Sequence, residues 1–367
     1  MIAEEDVKVF VEDCPASPLP HMMATDGEPI PSLKNMPFAV TLYLTMSCNL
    51  SCLTCYASAG KKGNNELDSA GWIKITKKLA RAGTSYVYLL GGEPLMVPLE
   101  HLTAIIKETK ENGMRLALST NGFMLNRNVA KTLKSAGTEQ VQLSIDGSTE
   151  EVNDFIRGPG SFRAVLKAAS NLREAGLDFS TSFTLTSFNH QQAVEFIRLS
   201  EELGARAATL IVVQKFGRAD ERAVPTKQQV ADAYTQIIKY KPRIQVVLNG
   251  FRFYMNDYYS NGLKTIKSGL SEEARCPAGR SRFVIGPDGG IYGCDLLMMP
   301  EFLEGNALTD DLEGIWRKGF KSFRNRENHE CRSCPLFPAC GGGCPARVYA
   351  SFRSVSKKDP LCTLSFR

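Results

Sequence analysis

Cys48, Cys52 and Cys55 fall within Thr-Met-Ser-Cys-Asn-Leu-Ser-Cys-Leu-Thr-Cys-Tyr, a C-x3-C-x2-C triplet that directly follows an apolar, strand-like stretch. Thiolates at that spacing can reach one face of an iron–sulfur cluster. Such clusters normally take four cysteines, so a set of three leaves one iron without a protein ligand. An open coordination position is where chemistry occurs, and the triplet therefore points to an enzyme. Taken alone, the same triplet also suits a partial zinc site. Two further features narrow the reading: Gly91-Gly92-Glu93-Pro94 at the end of the next strand-like run, and seven more clustered cysteines near the C-terminus.

Those seven run Cys276, Cys294, Cys331, Cys334, Cys340, Cys344 and Cys362, with no cysteine between 55 and 276; only Cys14 stands apart. Cys276 is followed after twelve residues by Gly289 and four residues later by Cys294. The rest read Cys331-x2-Cys334-x5-Cys340-x3-Cys344-x17-Cys362. Zinc ribbons also use C-x2-C pairs, but they do not need seven cysteines in this order. Eleven cysteines in a reducing compartment are metal ligands or redox groups rather than disulfides. Cys14 reads as a small buried hydrophobe.

The rest of the composition bounds the function. At 367 residues the chain accommodates one large α/β domain and a smaller one. Hydrophobic residues make up 43% and charged residues 23%, ordinary for a globular protein with a full core. A net charge of +5, dispersed along the chain, gives no argument for nucleic acid. No apolar run approaches the ~20 residues that span a bilayer. The N-terminus opens acidic, without the basic-then-apolar order of a secretory signal, so the expectation is a cytoplasmic protein with no membrane contact.

The elements that must position the cysteines follow a regular alternation. Strand-like runs lie at 39–45, 86–90, 115–119, 140–145, 179–185 and 207–213. Helix-like stretches lie near 69–82, 98–112, 126–136, 161–175 and 189–203, and Gly83, Gly113, Gly137, Gly176 and Gly204 stand as C-caps. Each unit spans about 30 residues, the βαβ rhythm of a parallel sheet. Six strands and five helices suit an open doubly wound sheet or a partial barrel, and composition does not choose. In either, the strand C-termini form the functional rim. Gly91-Gly92-Glu93-Pro94, Thr120-Asn121-Gly122 and Asp146-Gly147 all sit there. Residues 1–37 read as an extension with one short strand near 7–11. Residues 216–275 read as a helical connection broken at Pro242, and 276–367 as a small cluster-bound module.

Together, the triplet, Gly-Gly-Glu-Pro and the alternation over 38–215 resemble the radical S-adenosylmethionine enzymes. The C-terminal cysteine spacing matches the SPASM pattern of auxiliary-cluster domains. The resemblance implies an α/β fold, a partial (β/α)6 TIM-like barrel with a small C-terminal iron–sulfur SPASM domain. It also implies S-adenosyl-L-methionine and three [4Fe-4S] clusters. The first is held by Cys48, Cys52 and Cys55, with its free iron chelated by the nucleotide. Gly91 and Gly92 let the backbone approach the methionine moiety, and Glu93 adds negative charge beside its ammonium. By carry-over, Ser144 bonds a ribose hydroxyl and Arg157 pairs with the cofactor carboxylate; Asn121 and Asp146 are neighbours. Cys276, Cys294 and Cys344 hold the second cluster. Its fourth ligand in some relatives lies upstream, where this chain has no cysteine, which leaves an open iron or a non-cysteine donor such as Asp295. Cys331, Cys334, Cys340 and Cys362 hold the third as a closed set.

Several branches share this architecture. Glu151–Gly158, Cys276–Arg280 and Gly341–Arg347 look most like the peptide-modifying members, the mycofactocin maturase group among them. The resemblance then implies a precursor peptide or small protein as substrate, auxiliary clusters that accept its electron, and a flavodoxin or ferredoxin as donor. The extension is shorter than a fused leader-recognition domain, so a separate recognition protein, or none, is expected. Two other branches compete. Sulfatase maturation to formylglycine is suggested by Asp295 after Cys294, which echoes an acid proposed there to take the substrate proton. Haem-biosynthesis decarboxylation is suggested by Ala346–Ala350. A non-catalytic electron carrier is the reading from another class, and an intact Gly-Gly-Glu-Pro beside an open triplet argues against it.

Overall fold

Strand periodicity decides where each side chain of the sheet points. The computed structural model of the chain describes residues 9–12, 36–251 and 276–362; Cys14 and most of the 1–37 extension lie outside them. In chain order the strands begin with β1 (Val9–Glu12), β2 (Ala39–Tyr43), β3 (Tyr86–Leu90), β4 (Arg115–Thr120), β5 (Gln140–Ser144), β6 (Asp178–Leu185) and β7 (Ala207–Val212). Between β2 and β7 run helices α1 (Ser69–Arg81), α2 (Leu99–Glu111), α3 (Arg127–Ala136), α4 (Glu150–Arg157), α5 (Ser161–Ala175) and α6 (Ala193–Leu203). Five of these match the expected stretches. The sixth, α4, was quoted as a motif but not expected as a helix.

The sheet is ordered β1-β8-β7-β6-β5-β4-β3-β2-β9-β10-β11. From β2 to β8 the order is monotonic, with every pair parallel. A doubly wound sheet reverses direction at a switch point; this one never does, so it curls one way as a partial barrel. Val40, Leu42, Val87, Leu89, Leu116, Leu118, Val141 and Leu143 join the helices in one large core. The alternate residues face the lumen, where Ala39, Tyr86, Tyr88 and Ala117 form a separate small cluster. Above that cluster the lumen is polar, with Tyr43, Gln142, Ser144 and Ser182 on the inner face.

Helix packing follows the usual amphipathic logic. In α1, Trp72, Ile75 and Leu79 are buried at helical spacing, each contributing about 1.5–3 kcal/mol. Asp68 caps its start by accepting from the Gly71 amide at 2.8 Å. All five expected C-cap glycines have positive φ, from 64° at Gly176 to 106° at Gly137.

Two departures enlarge the barrel. Residues 216–275 read as a helical connection broken at Pro242; they hold α7 (Lys227–Tyr240), opened by a Thr226–Gln229 capping box, and then strand β8 (Gln245–Asn249). Pro242 does break the helix, but Val246, Val247 and Leu248 re-enter the sheet beside β7, and β1 pairs with β8 in parallel. Residues 252–275 lie outside the described residues. The C-terminal module also joins the sheet. Strand β9 (Arg282–Ile285) pairs in parallel with β2, and β10 (Gly290–Tyr292) and β11 (Leu303–Asn306) follow antiparallel. Beyond β11 come only short helices: α8 (Leu312–Lys318), α9 (Lys321–Arg324), α10 (Phe337–Cys340) and α11 (Pro345–Phe352). Among the described residues, no helix is long and apolar enough to cross a membrane.

Candidate active site

A cavity of about 200 Å³ opens at the C-terminal end of the barrel strands. Cys48, Cys52 and Cys55, Gly91 to Glu93, Asn121, Ser144, Asp146, Arg157 and Asp295 all line it. The structure thus brings together every residue that the motifs nominated for the nucleotide site, and Asp295 with them.

The triplet rides on a loop that is held almost entirely through its backbone. Cys48 donates to the Gly60 carbonyl and Gly60 to the Met46 carbonyl, both at 2.9 Å; the Leu53 amide donates to Ile156 at 2.8 Å. Two side chains that spacing did not reveal secure it further. Glu66 accepts from the Thr45 hydroxyl at 2.6 Å and from the Met46 and Gly63 amides at 2.7 Å. Arg218 donates to the carbonyls of Cys52 and Ala59, each at 2.7 Å. Neither belongs to a local pattern, so only a hydrophilic residue bonded far from its own position could have flagged them.

Gly91 and Gly92 have a structural reason beyond any ligand. The Gly92 amide donates to Thr45 at 2.6 Å and the Glu93 amide to Ser47 at 2.8 Å. A Cβ on Gly92 would stand 2.2 Å from the Ser47 oxygen, and one on Gly91, at φ 155°, would stand 2.6 Å from that of Thr45. What approaches these glycines is the cysteine loop itself. Glu93 is buried and accepts from the Leu95 amide (3.0 Å), the Thr120 hydroxyl (2.7 Å) and the Asn121 amide (2.8 Å). Burial raises its carboxyl, and those donors oppose the shift. Asn121 in turn bonds Asn49 at 2.8 Å, which links β4 to the triplet loop.

Arg157 and Asp146 form a buried pair at 2.6 Å, their side chains 12% and 2% exposed. Asp146 also accepts from the Thr184 amide at 2.7 Å, which fixes the carboxylate to β6. Burial works against the Arg157 cation, but the charges of Cys52 and Asp146 more than offset it, so it stays protonated. Its Nε is buried without a hydrogen-bond partner. That leftover donor, beside three thiols, suits an anionic ligand group. Ser144 ends β5 on the cavity wall, in register with Ser182. Burial raises the thiols of Cys48 and Cys52, which suits ligands that ionise when a metal binds.

Asp295 follows Cys294 into the lumen. It forms a buried ion pair with Arg282 and accepts from the Tyr43 hydroxyl at 3.2 Å; Tyr43 also bonds Tyr56, the residue after Cys55. Arg282 enters the lumen because β9 pairs with β2 in register Ala39 to Arg282. Arg282 holds one carboxylate oxygen and Tyr43 the other.

The remaining cysteines gather in the C-terminal module. Burial, then the charges of Cys340, Cys362 and Cys334, pushes the Cys331 thiol up to about 11. The four expected to form a closed set are therefore electrostatic neighbours. Cys344 and Cys276 share the surroundings of Arg326. Asp359 ties the sets together: it pairs with Arg347 at 2.7 Å, accepts from the Cys344 amide at 2.9 Å, and its carbonyl accepts from the Cys362 amide at 2.9 Å. Gly341, Gly342 and Gly343, at φ 59°, 81° and 85°, form the turn between Cys340 and Cys344. The thiol sets, the cradle of glycines and the unpartnered Arg157 Nε fit iron–sulfur clusters and a nucleotide carrying a carboxylate.

Family comparisons agree with this geometry. Residues 42–200 match the radical SAM superfamily, and residues 276–335 match an iron–sulfur cluster-binding domain, SPASM. The mycofactocin maturase of Mycobacterium ulcerans is 32% identical over 90% of this chain and 89% of its own length. At 27% identity stand the AdoMet-dependent heme synthase of Methanosarcina barkeri, over 90% of this chain and 97% of its own, and the PqqA peptide cyclase of Ruegeria pomeroyi, over 90% and 88%. The fold is shared with Streptococcus suis SuiB, solved with the precursor peptide SuiA. Its TM-score is 0.74 at 18% identity, with 89% of this chain and 76% of that one covered.

Proposed function

The chain belongs to the radical S-adenosylmethionine superfamily and carries a SPASM domain, and from that premise we propose that it modifies a ribosomally made peptide by hydrogen abstraction. The observation that carries this is the three-thiol loop on the wall of a polar lumen that also presents Arg157, Ser144 and Asp295. When bound, a reduced cluster and S-adenosylmethionine supply a 5′-deoxyadenosyl radical.

The chain's own residues do the rest. Cys48, Cys52 and Cys55 hold the cluster and leave one iron free. Arg157, fixed by Asp146, offers its spare N–H to the nucleotide carboxylate. Ser144 offers a hydroxyl to the ribose, and Asn121 keeps the wall beside the triplet in place. The Gly91-Gly92 backbone sets the floor on which the methionine end lies, with Glu93 locking that floor to β4. Asp295, held by its pair with Arg282, is the base that takes the substrate proton. Cys276, Cys294 and Cys344, and separately Cys331, Cys334, Cys340 and Cys362, hold two further clusters, about twelve irons per chain in all. Clusters held there would supply an acceptor for the substrate electron.

A peptide is favoured over a tetrapyrrole because the mycofactocin maturase relative is 32% identical over 90% of this chain, against 27% over the same share for the heme synthase. A flavodoxin or ferredoxin supplies the first electron. Ten clustered thiols support the reading of a reducing cytoplasm as its location. Mass spectrometry of a small peptide encoded beside this chain, after co-expression, tests the reading. A mass change that disappears with Cys52→Ala is expected. An unchanged peptide together with a modified tetrapyrrole or sulfatase would refute it.

A further inference from the structure

Arg326 stands where the two C-terminal thiol sets meet. Its Nη1 donates to the carbonyls of Gly343 (2.7 Å) and Gly341 (3.3 Å). Its Nη2 donates to Gly342 (3.0 Å) and Lys357 (3.2 Å), and its Nε to Val355. The glycine turn it grips runs from Cys340 of one set to Cys344 of the other. Every one of these bonds goes to a neutral oxygen. Among the described residues no carboxylate lies within ion-pair distance of this guanidinium, and both Asp359 oxygens are committed to Arg347.

A half-buried cation ringed by carbonyl dipoles, with no carboxylate beside it, gives up part of its hydration without an opposite charge in return. Burial works against its charge, and the groups that offset it are Cys344, Cys276, Asp359 and Cys340. Three of those four are thiols, drawn from both sets.

We propose that Arg326 is the counter-charge shared by the two thiolate sets, and that it raises the reduction potential of both clusters they hold. The inference rests on the reading above that these cysteines bind two clusters. Taking up one electron makes a cluster more negative, and a fixed cation nearby favours that state. One residue then keeps both clusters ready to accept an electron from the substrate, and it also offsets the repulsion between two anionic centres.

The test uses the full chain with Cys48, Cys52 and Cys55 replaced by Ala, so that only the auxiliary clusters report. Arg326→Gln and Arg326→Lys are made in that background and reconstituted anaerobically. Iron is counted, and dithionite titrations are followed by electron paramagnetic resonance. Arg326→Gln should lower both midpoints, with a roughly tenfold change in each oxidised-to-reduced ratio, ~59 mV for one electron. Arg326→Lys keeps the charge but cannot make five carbonyl bonds, so it should restore most of the shift. Equal shifts in both variants would reduce Arg326 to a clamp, and movement of one midpoint alone would end the sharing. If Arg326→Gln binds no iron, Arg326→Lys decides: wild-type midpoints support the charge role and lowered ones overturn it. An iron-free parent would sink the two-cluster reading and this inference with it; a loaded parent with unmoved midpoints would sink the inference alone.

Discussion

The loop at 46–60 and the module at 276–362 both present thiols, but they are held in opposite ways. The first lies on a finished barrel whose core of alternating strand residues and helix faces is complete without it. Its carbonyls are bonded by Gly92, Glu93 and Arg218, so the three thiols stand on a preset surface. The second has four-residue helices at Lys321–Arg324 and Phe337–Cys340, and is tied by Arg326 and the Arg347–Asp359 pair. There a bound metal would supply much of the folding energy, as in other small metal-bound modules. Preorganisation suits a site that must keep one iron open; dependence on metal suits a closed four-thiol set such as Cys331, Cys334, Cys340 and Cys362.

The largest effect expected from this contrast is at Asp359. Asp359→Ala strands Arg347 in the interior at a cost of about 3–5 kcal/mol and takes the side-chain acceptors away from the Cys344 and Leu361 amides. Iron should fall from about twelve toward about four per chain, with the barrel's circular dichroism kept. Loss of the barrel signal as well would break the contrast. Gly92→Ala should do the reverse. Its Cβ would meet the Ser47 oxygen at 2.2 Å, so the triplet loop must move. About four irons should be lost while the C-terminal clusters stay.

Arg218→Ala is the milder version. It leaves two carbonyls short of a charged donor, about 1.5–3 kcal/mol each, and chelators should strip the first cluster faster without changing the final iron count. Smallest is the acid response of Asp154. Slight burial works the other way, but the amides of Phe162 and Gly160 and the Ser161 hydroxyl hold its carboxyl below the usual range. Its contribution is therefore present above the ordinary carboxylate value and lost as pH falls through the depressed one. Thermal midpoints of wild type and Asp154→Asn should differ at neutral pH and converge in acid.

Much of the barrel was readable because its signals are local. Apolar alternation marks β2 to β7, and the five glycines cap helices by positive φ, a property of each residue by itself. The same holds for the cysteine spacing. Strand β8 was missed because three apolar residues after Pro242 are too few to separate from a helix end. Strand β9 was missed as a barrel member because joining β2 requires a partner some 240 positions away. Arg218, Glu66, Arg282, Arg326 and Asp359 were missed for the same reason. Each acts on distant backbone or on a distant charge, and no periodicity records that.

The central claim is that the triplet holds a cluster with an iron free for S-adenosylmethionine. Its most direct test is to mix the anaerobically reconstituted, dithionite-reduced protein with S-adenosylmethionine and quantify 5′-deoxyadenosine and methionine. Formation of both, abolished when Cys48, Cys52 and Cys55 become Ala, is the predicted result. Intact S-adenosylmethionine over the iron-loaded wild-type protein would contradict it.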